Sequence, residues 1–369
     1  YFVRNDTTFL TDSIGESTKL LELSLRHFEL ERFGEVVEKL RAQSYSVKGF
    51  YHTSRWRDHW RDVIEEQLEL LDGRRARVKG SSHSHSKHEA KSVHWASLLD
   101  ISTSLHINVA GKPEDGDAIS EVVKALGLKN HDKIKVESTP TIERFSSEKR
   151  QAEVTKQFPD VTSGEVGIVN KLRDYCINEK AAGRKALVYY LHNKGGCCKK
   201  GGPKNERPVS DWRDLMNAIV IEFPSICLRA METGYSVCGP EYQDAHHSGN
   251  FWWAHCDHVA DLPKLKNPFD AHSAEFFVHR ITPDNYGEML KHASTCGYNP
   301  FHCRVNHYDF PCPRDRYTST LLTNVISSEL PRNPTNKMQN KANEFVKKHC
   351  PLIRTLAVKE KERYLQQMR

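Results

Sequence analysis

The sequence predicts an α/β fold, a mixed sheet with helices on both faces, and three observations carry that expectation. Short apolar runs at Ser46–Thr53, Leu105–Gly111 and Leu187–Leu191 read as strands. Segments with apolar residues at helical spacing lie between them, including Trp60–Leu71 and Val166–Cys176. Strands alternating with helices bury both faces of a sheet, and this is how a chain of 369 residues builds a large core.

Taken in order, residues 1–16 are polar and turn-rich and read as a loose lead-in. From Ser17 to Gln43 the positions Leu20, Leu23, Phe28, Phe33, Val37 and Leu40 recur at helical spacing, with a break expected near Gly34. A helix packed on the main domain is favoured there over a stalk. Ser46–Thr53 is a first strand with His52 and Thr53 at its carboxyl end, and the helix after it stops at Asp72-Gly73. Residues 80–92, with His83, His85 and His88, are low-complexity and read as a disordered surface insertion. Leu105–Gly111 is a second strand, Asp115-Gly116-Asp117 a loop, and Lys133–Val136 a third strand. A helix over Gly164–Ala182 feeds the strand at Leu187, and another is expected around Trp212–Phe223. The domain division is a helical lead-in at 1–45, a catalytic domain at 46–330, and a charged helical tail at 331–369.

Composition excludes some classes. Lys+Arg 54 against Asp+Glu 48 leaves only +6, and no basic run is interleaved with aromatics, so no nucleic-acid partner is expected. No stretch approaches the roughly 20 apolar residues of a membrane span. The sequence begins at Tyr1, so it reads as a trimmed fragment, and a signal or membrane anchor upstream is compatible with it. Ten cysteines crowded into the second half suit a few disulfides and an oxidising, secretory compartment. Oligomeric state is not legible.

The chemistry concentrates between Leu187 and Pro263. The strand at Leu187 ends in His192-Asn193-Lys194-Gly195-Gly196, a cationic loop at a strand's carboxyl end, where α/β folds bind ligands. It lacks the spacing of a phosphate-binding P-loop. Ser248-Gly249-Asn250-Phe251-Trp252-Trp253 follows. Neighbouring strand residues face opposite sides, so one tryptophan packs in the core while the other is free to stack on a sugar; packing of both is the alternative. Among carboxylates, Glu275 opens an apolar element after a polar loop, whereas Glu165 opens a helix and reads as a structural charge near its cap. The spacing Cys296-x6-Cys303-x3-His307-x4-Cys312 matches no common zinc site.

These residues resemble a family of glycosyltransferases found as modules of bacterial surface-polysaccharide (O-antigen) polymerases, with eukaryotic and algal relatives. The resemblance rests on Tyr51-His52, Trp60 with Glu66-Gln67-Leu68, Tyr190 to Gly195, Trp212-Arg213 with Met216, His246 to Ala254, Leu262-Pro263 and Ala274-Glu275. It spans residues 46–280, with Ser-Gly-Asn-Phe-Trp-Trp-Ala its most specific part. Asn193 stands where the family has Thr, and His247 where it has Tyr.

The resemblance implies a GT-A-like fold and transfer of a galactose-type sugar from a nucleotide donor, a UDP-sugar, to a glycan hydroxyl, in a Golgi-like lumen if the protein is eukaryotic. On this reading His52, Thr53, Gly111, His192, Lys194, Gly195, Gly249 and Asn250 bind the donor, and Trp252 or Trp253 walls the sugar. Glu275, or second Asp257, takes the acceptor proton with inversion at the anomeric carbon. The only Asp-x-Asp, Asp115/Asp117, follows no apolar run, so side-chain cations are expected to replace a metal on the diphosphate, with no cofactor required. A carbohydrate-binding protein without catalysis and a metal-dependent phosphoester hydrolase are the alternatives.

Overall fold

The structure is a computed structural model that describes residues 7–55, 59–74, 96–139, 164–193, 206–240, 242–243, 246–247, 249–266 and 271–279, with isolated positions between 297 and 325. The 80–92 insertion, Lys194, Gly195 and the tail 331–369 lie outside the described residues.

The architecture is a mixed α/β sheet flanked by helices. Its strands are β1 (Ser46–Thr53), β2 (Ser104–Ala110), β3 (Ile134–Thr139), β4 (Ala186–His192), β5 (Val237–Cys238), β8 (Trp252–His255) and β9 (Gly297–Tyr298). They lie in the order β3-β2-β1-β4-β8-β5-β9, while β6 (Tyr242–Gln243) and β7 (His246–His247) pair separately. β1 to β4 are mutually parallel, and β8 runs antiparallel to both β4 and β5. The carboxyl ends of β1 to β4 and the amino end of β8 therefore share one edge of the sheet.

β4 is buried at every position, as a central strand covered on both faces must be. One face carries Val47, Tyr51, Leu105, Ile107, Leu187, Tyr189 and Trp253. Against it pack α1 (Thr7–Ala42), α2 (Trp60–Leu71), α4 (Pro113–Leu126), α6 (Glu206–Asn217) and α7 (Pro224–Glu232). The short α3 (Leu98–Ile101) contributes Leu98 and Leu99 to this core. The other face carries Phe50, Val188, Tyr190, Trp252 and Ala254 under α5 (Gly164–Ala181), α8 (Cys256–Asp261) and α9 (Ala271–Glu275).

Several local expectations are corrected. The amino-terminal helix begins at Thr7 and runs unbroken through Gly34, whose missing side chain faces open space, so no contact forces a break there. Asp115-Gly116-Asp117 is the first turn of α4, not a loop. Pro113 presets the helical φ, and Asp115 Oδ2 accepts the Lys112 amide at 2.9 Å. The helix expected to reach Phe223 changes at Asn217 into a π turn, Ala218–Glu222. Within that turn the Val220 carbonyl accepts the Trp253 indole N–H at 3.0 Å, a bond from outside the helix.

Among the described residues two disulfides brace the antiparallel side of the fold, Cys176–Cys256 between α5 and α8 and Cys227–Cys238 between α7 and β5. Among the described residues no helix is long and apolar enough to cross a membrane.

Candidate functional site

The site forms where the carboxyl edge of the parallel strands meets the turn that leads into β8. In-register pairing sets Asn108, His52 and His192 side by side on β2, β1 and β4, so their side chains share one face. That face belongs to α5, and the first turn of α5 brings Glu165 to the row.

His192 is anchored on both ring nitrogens. Its Nε2 lies 2.7 Å from the Gly249 carbonyl oxygen, to which it donates, and its Nδ1 lies 3.5 Å from Glu165 Oε1. Asn250 Nδ2 donates to Glu165 Oε2 at 2.8 Å, while Asn250 Oδ1 accepts the Trp252 indole N–H at 2.9 Å. The Gly249–Asn250 turn needs left-handed backbone at both residues, φ +82° and +58°, which glycine and asparagine tolerate best. A Cβ on Gly249 would also fall 2.0 Å from Met216 Sδ.

Electrostatics divide the two histidines. Burial holds the His52 imidazole neutral, with its titration lowered to about 4; the nearby Glu165 charge opposes that shift and His192 adds to it. Among the described residues its Nδ1 has no hydrogen-bond partner, and neither has Asn108 Nδ2, while Asn108 Oδ1 accepts from Thr139 at 2.5 Å. The Tyr190 hydroxyl is pushed well above its ordinary range, first by burial and then by the carboxylates of Glu165 and Glu275. The charges of Glu165 on α5 and Glu275 on α9 thus both act on this phenol.

The expected site residues are placed unequally. His52, His192, Gly249 and Asn250 come together around Glu165, while Glu275 acts on the neighbouring Tyr190 hydroxyl through its charge. Thr53 is fully buried and points to the opposite face, beside the Tyr51 hydroxyl. Gly111 does lie at the shared edge, but the space over its Cα is taken by Asp115 Oδ2, only 2.2 Å from where a Cβ would stand. Asp115 also accepts from Arg55 at 3.1 Å.

Asp257 is not part of the cluster. β8 is antiparallel to β4 and His255 pairs with Leu187, so Asp257 follows at the far end of the sheet, exposed. The sugar-facing tryptophan is corrected as well. Trp252 and Trp253 are both 0% exposed. Trp252 stacks on Tyr190 at 5.3 Å in one core, and Trp253 lies 4.9 Å from Tyr189 in the other. Each is half of a rivet through the sheet, not the wall of a pocket.

Sequence reasoning passed over several contributors. Glu165, read as a cap-region charge, is the hub of the cluster. Tyr190 enters the sequence reading only as a motif position of the resemblance, and Asn108 only as part of a strand. Gln67 receives the Tyr51 hydroxyl at 2.7 Å and supports the edge from beneath. The signal for Asn108 was available: a lone amide in an apolar run at a strand's carboxyl end needs a partner when buried.

The Cys/His segment after residue 290 is described only in part. His307 stacks on Trp212 at 5.2 Å and Cys312 is buried, while Cys296 and Cys303 lie outside the described residues.

No curated protein and no solved structure matches the chain. A family model described as a domain of unknown function, DUF8361, matches residues 117–304, just over half of the 369 residues. The match takes in β3, α5, β4 and the turn before β8, and with them most of the site. The chain belongs to this DUF8361 family.

Proposed function

We propose that the protein is a nucleotide-sugar-dependent glycosyltransferase of GT-A-like fold, moving a galactose-type sugar from a UDP-sugar to a glycan hydroxyl. One observation carries the reading. Motif pieces scattered along the chain meet at a single sheet edge: His52, His192, Gly249 and Asn250 around the site, Gln67 and Met216 beneath it, with the Glu275 charge acting on the adjoining Tyr190 hydroxyl. A parallel half-sheet that meets one antiparallel strand, with helices on both faces, supports the GT-A-like assignment.

In this reaction the acceptor oxygen bonds to the anomeric carbon as the bond to the diphosphate oxygen breaks. The electron pair of that bond leaves with the diphosphate. Glu275 takes the hydroxyl proton, and one displacement inverts the anomeric centre. Lys194, two residues beyond His192 in sequence, supplies positive charge to the diphosphate. A charge on His192 would be matched locally by the Glu165 carboxylate that faces its Nδ1. Asp115 is engaged as a helix cap and by Arg55, which favours side-chain cations over an Asp-x-Asp metal. Loss of turnover in EDTA with recovery in manganese would overturn that part.

The two disulfides favour an oxidising, secretory-type lumen as the place of work. Burial of both tryptophans removes this pair as the stacking surface of a lectin-like mode. The test is a nucleotide-sugar screen by thermal shift, followed by donor turnover with glycan acceptors. A UDP-sugar is expected to raise Tm and to be consumed. No shift and no turnover with any nucleotide-sugar would refute the reading.

A further inference from the structure

We propose that Glu165 is a positioning residue of this site: its carboxylate fixes His192 and the Asn250 amide, and through them the Gly249–Asn250 turn against which the donor is to sit. What is bound rests on the glycosyltransferase reading; the positioning itself rests on geometry alone.

A glutamate in the first turn of a helix is ordinarily satisfied by that helix, whose dipole stabilises the negative charge. Glu165 instead reaches outward to two other elements. Its Oε2 accepts from Asn250 at 2.8 Å, and its Oε1 faces His192 Nδ1 at 3.5 Å. His192 in turn donates to the Gly249 carbonyl at 2.7 Å. The carboxylate, the imidazole and the Gly249–Asn250 turn therefore close a ring, and Asn250 ties that ring to the buried Trp252 indole at 2.9 Å. The groups facing Glu165 from the packed elements are His52 of β1, Tyr190 and His192 of β4, and Asn250 of the turn. Glu275 of α9 acts on the same Tyr190 hydroxyl.

In the transfer step Glu165 makes and breaks no bond. It keeps the His192 ring from rotating away and sets a carboxylate opposite its Nδ1. The cluster then needs no reorganisation when charge develops on the leaving diphosphate, which is the condition for electrostatic catalysis. Its side chain is 18% exposed, so the carboxylate is neither sealed in the core nor lost to solvent.

The test uses E165Q and E165D in the full chain, with histidine-selective ¹⁵N NMR and donor turnover. E165Q is expected to move the His192 ring titration to lower pH, because it removes an opposite charge within ion-pair range. It is also expected to lower kcat by about 10²-fold with KM changed less than about threefold, the pattern of lost preorganisation. E165D keeps the charge on a shorter arm and should recover the titration in part. An unchanged His192 titration in E165Q overturns the proposal. If E165Q does not fold, E165D decides in the same way: a titration between neutral and wild-type behaviour supports it, and one identical to wild type overturns it. A wild-type protein that turns over no nucleotide-sugar refutes the glycosyltransferase reading, while the titration still decides the role of Glu165.

Discussion

Gln67 on α2 and His192 on β4 are joined across the sheet edge: Gln67 Nε2 donates to the His192 carbonyl at 3.2 Å. The same amide nitrogen donates to Asn217 Oδ1 at 3.1 Å, and Gln67 Oε1 accepts the Tyr51 hydroxyl at 2.7 Å. One buried side chain thus ties β1, α2, β4 and α6 together directly behind the candidate site. Gln67→Leu keeps the bulk and strands these partners. Each buried polar group left unsatisfied costs about 1–3 kcal/mol, so urea unfolding should show a loss of that order or more. A change within about 0.5 kcal/mol, the range of ordinary surface substitutions, would show that the network adds nothing.

The tryptophan pair separates a core role from a ligand role. Trp252→Ala should cost about 3–5 kcal/mol, as large aromatic truncations in packed cores do. Trp252→Phe and Trp253→Phe should fold and bind nucleotide-sugar with affinity within about threefold of wild type, a change under 1 kcal/mol. Binding abolished in a Phe variant that retains its Tm would return that indole to the ligand site.

Gly249 is constrained twice, by its left-handed φ and by the Met216 sulfur against its Cα. Gly249→Ala is therefore expected to cost roughly 1–3 kcal/mol in backbone strain and to displace the carbonyl that His192 bonds. Truncating Met216 as well should relieve the clash but leave the φ penalty, so the double variant should recover only part of the lost Tm. Full recovery would show that φ carries no cost here.

Glu29 gives a signed pH dependence. It is fully buried on α1, accepts the Ser225 amide at 2.9 Å together with the Ser225 hydroxyl, and so caps the start of α7. Burial raises its carboxyl to about 8 from 4.5, opposed by the Ser225 bonds and the Arg229 charge. Between those values the folded protein keeps a proton that the unfolded chain releases. The resulting stability is fully present below the unfolded value and is lost as pH rises through the folded one. The Tm of wild type relative to Glu29→Gln should therefore fall as pH rises across that window. A relative rise would show that the carboxylate is ionised in the fold.

Much of this was legible in the sequence, for identifiable reasons. β1 appeared with its observed bounds because Ser46–Thr53 is bracketed by turn-forming residues on one side and a charged helix on the other. β4 appeared because a wholly apolar run before His192 has few other fates in an alternating chain. The site was half legible. His192 and the Gly249–Asn250 turn follow from strand ends and left-handed residues. Glu165 did not, because the reach of a first-turn carboxylate depends on what crosses the helix end, and here that is a turn 85 residues later. Of the two readings of Trp252 and Trp253, packing of both holds over a sugar-facing indole, because adjacent strand positions face opposite sides and a helix layer lies on each side to receive them.

The position of β8 has a consequence for how the chain is made. β4 is complete at His192, yet one of its edges stays unpaired until residues 252–255 arrive to cover it. During synthesis the parallel strands β3-β2-β1-β4 would present an apolar, hydrogen-bond-hungry edge for the time needed to add 60 more residues. A nascent chain arrested before Trp252 should accordingly be a chaperone client and prone to aggregate, and release from that state should coincide with the emergence of the tryptophan pair.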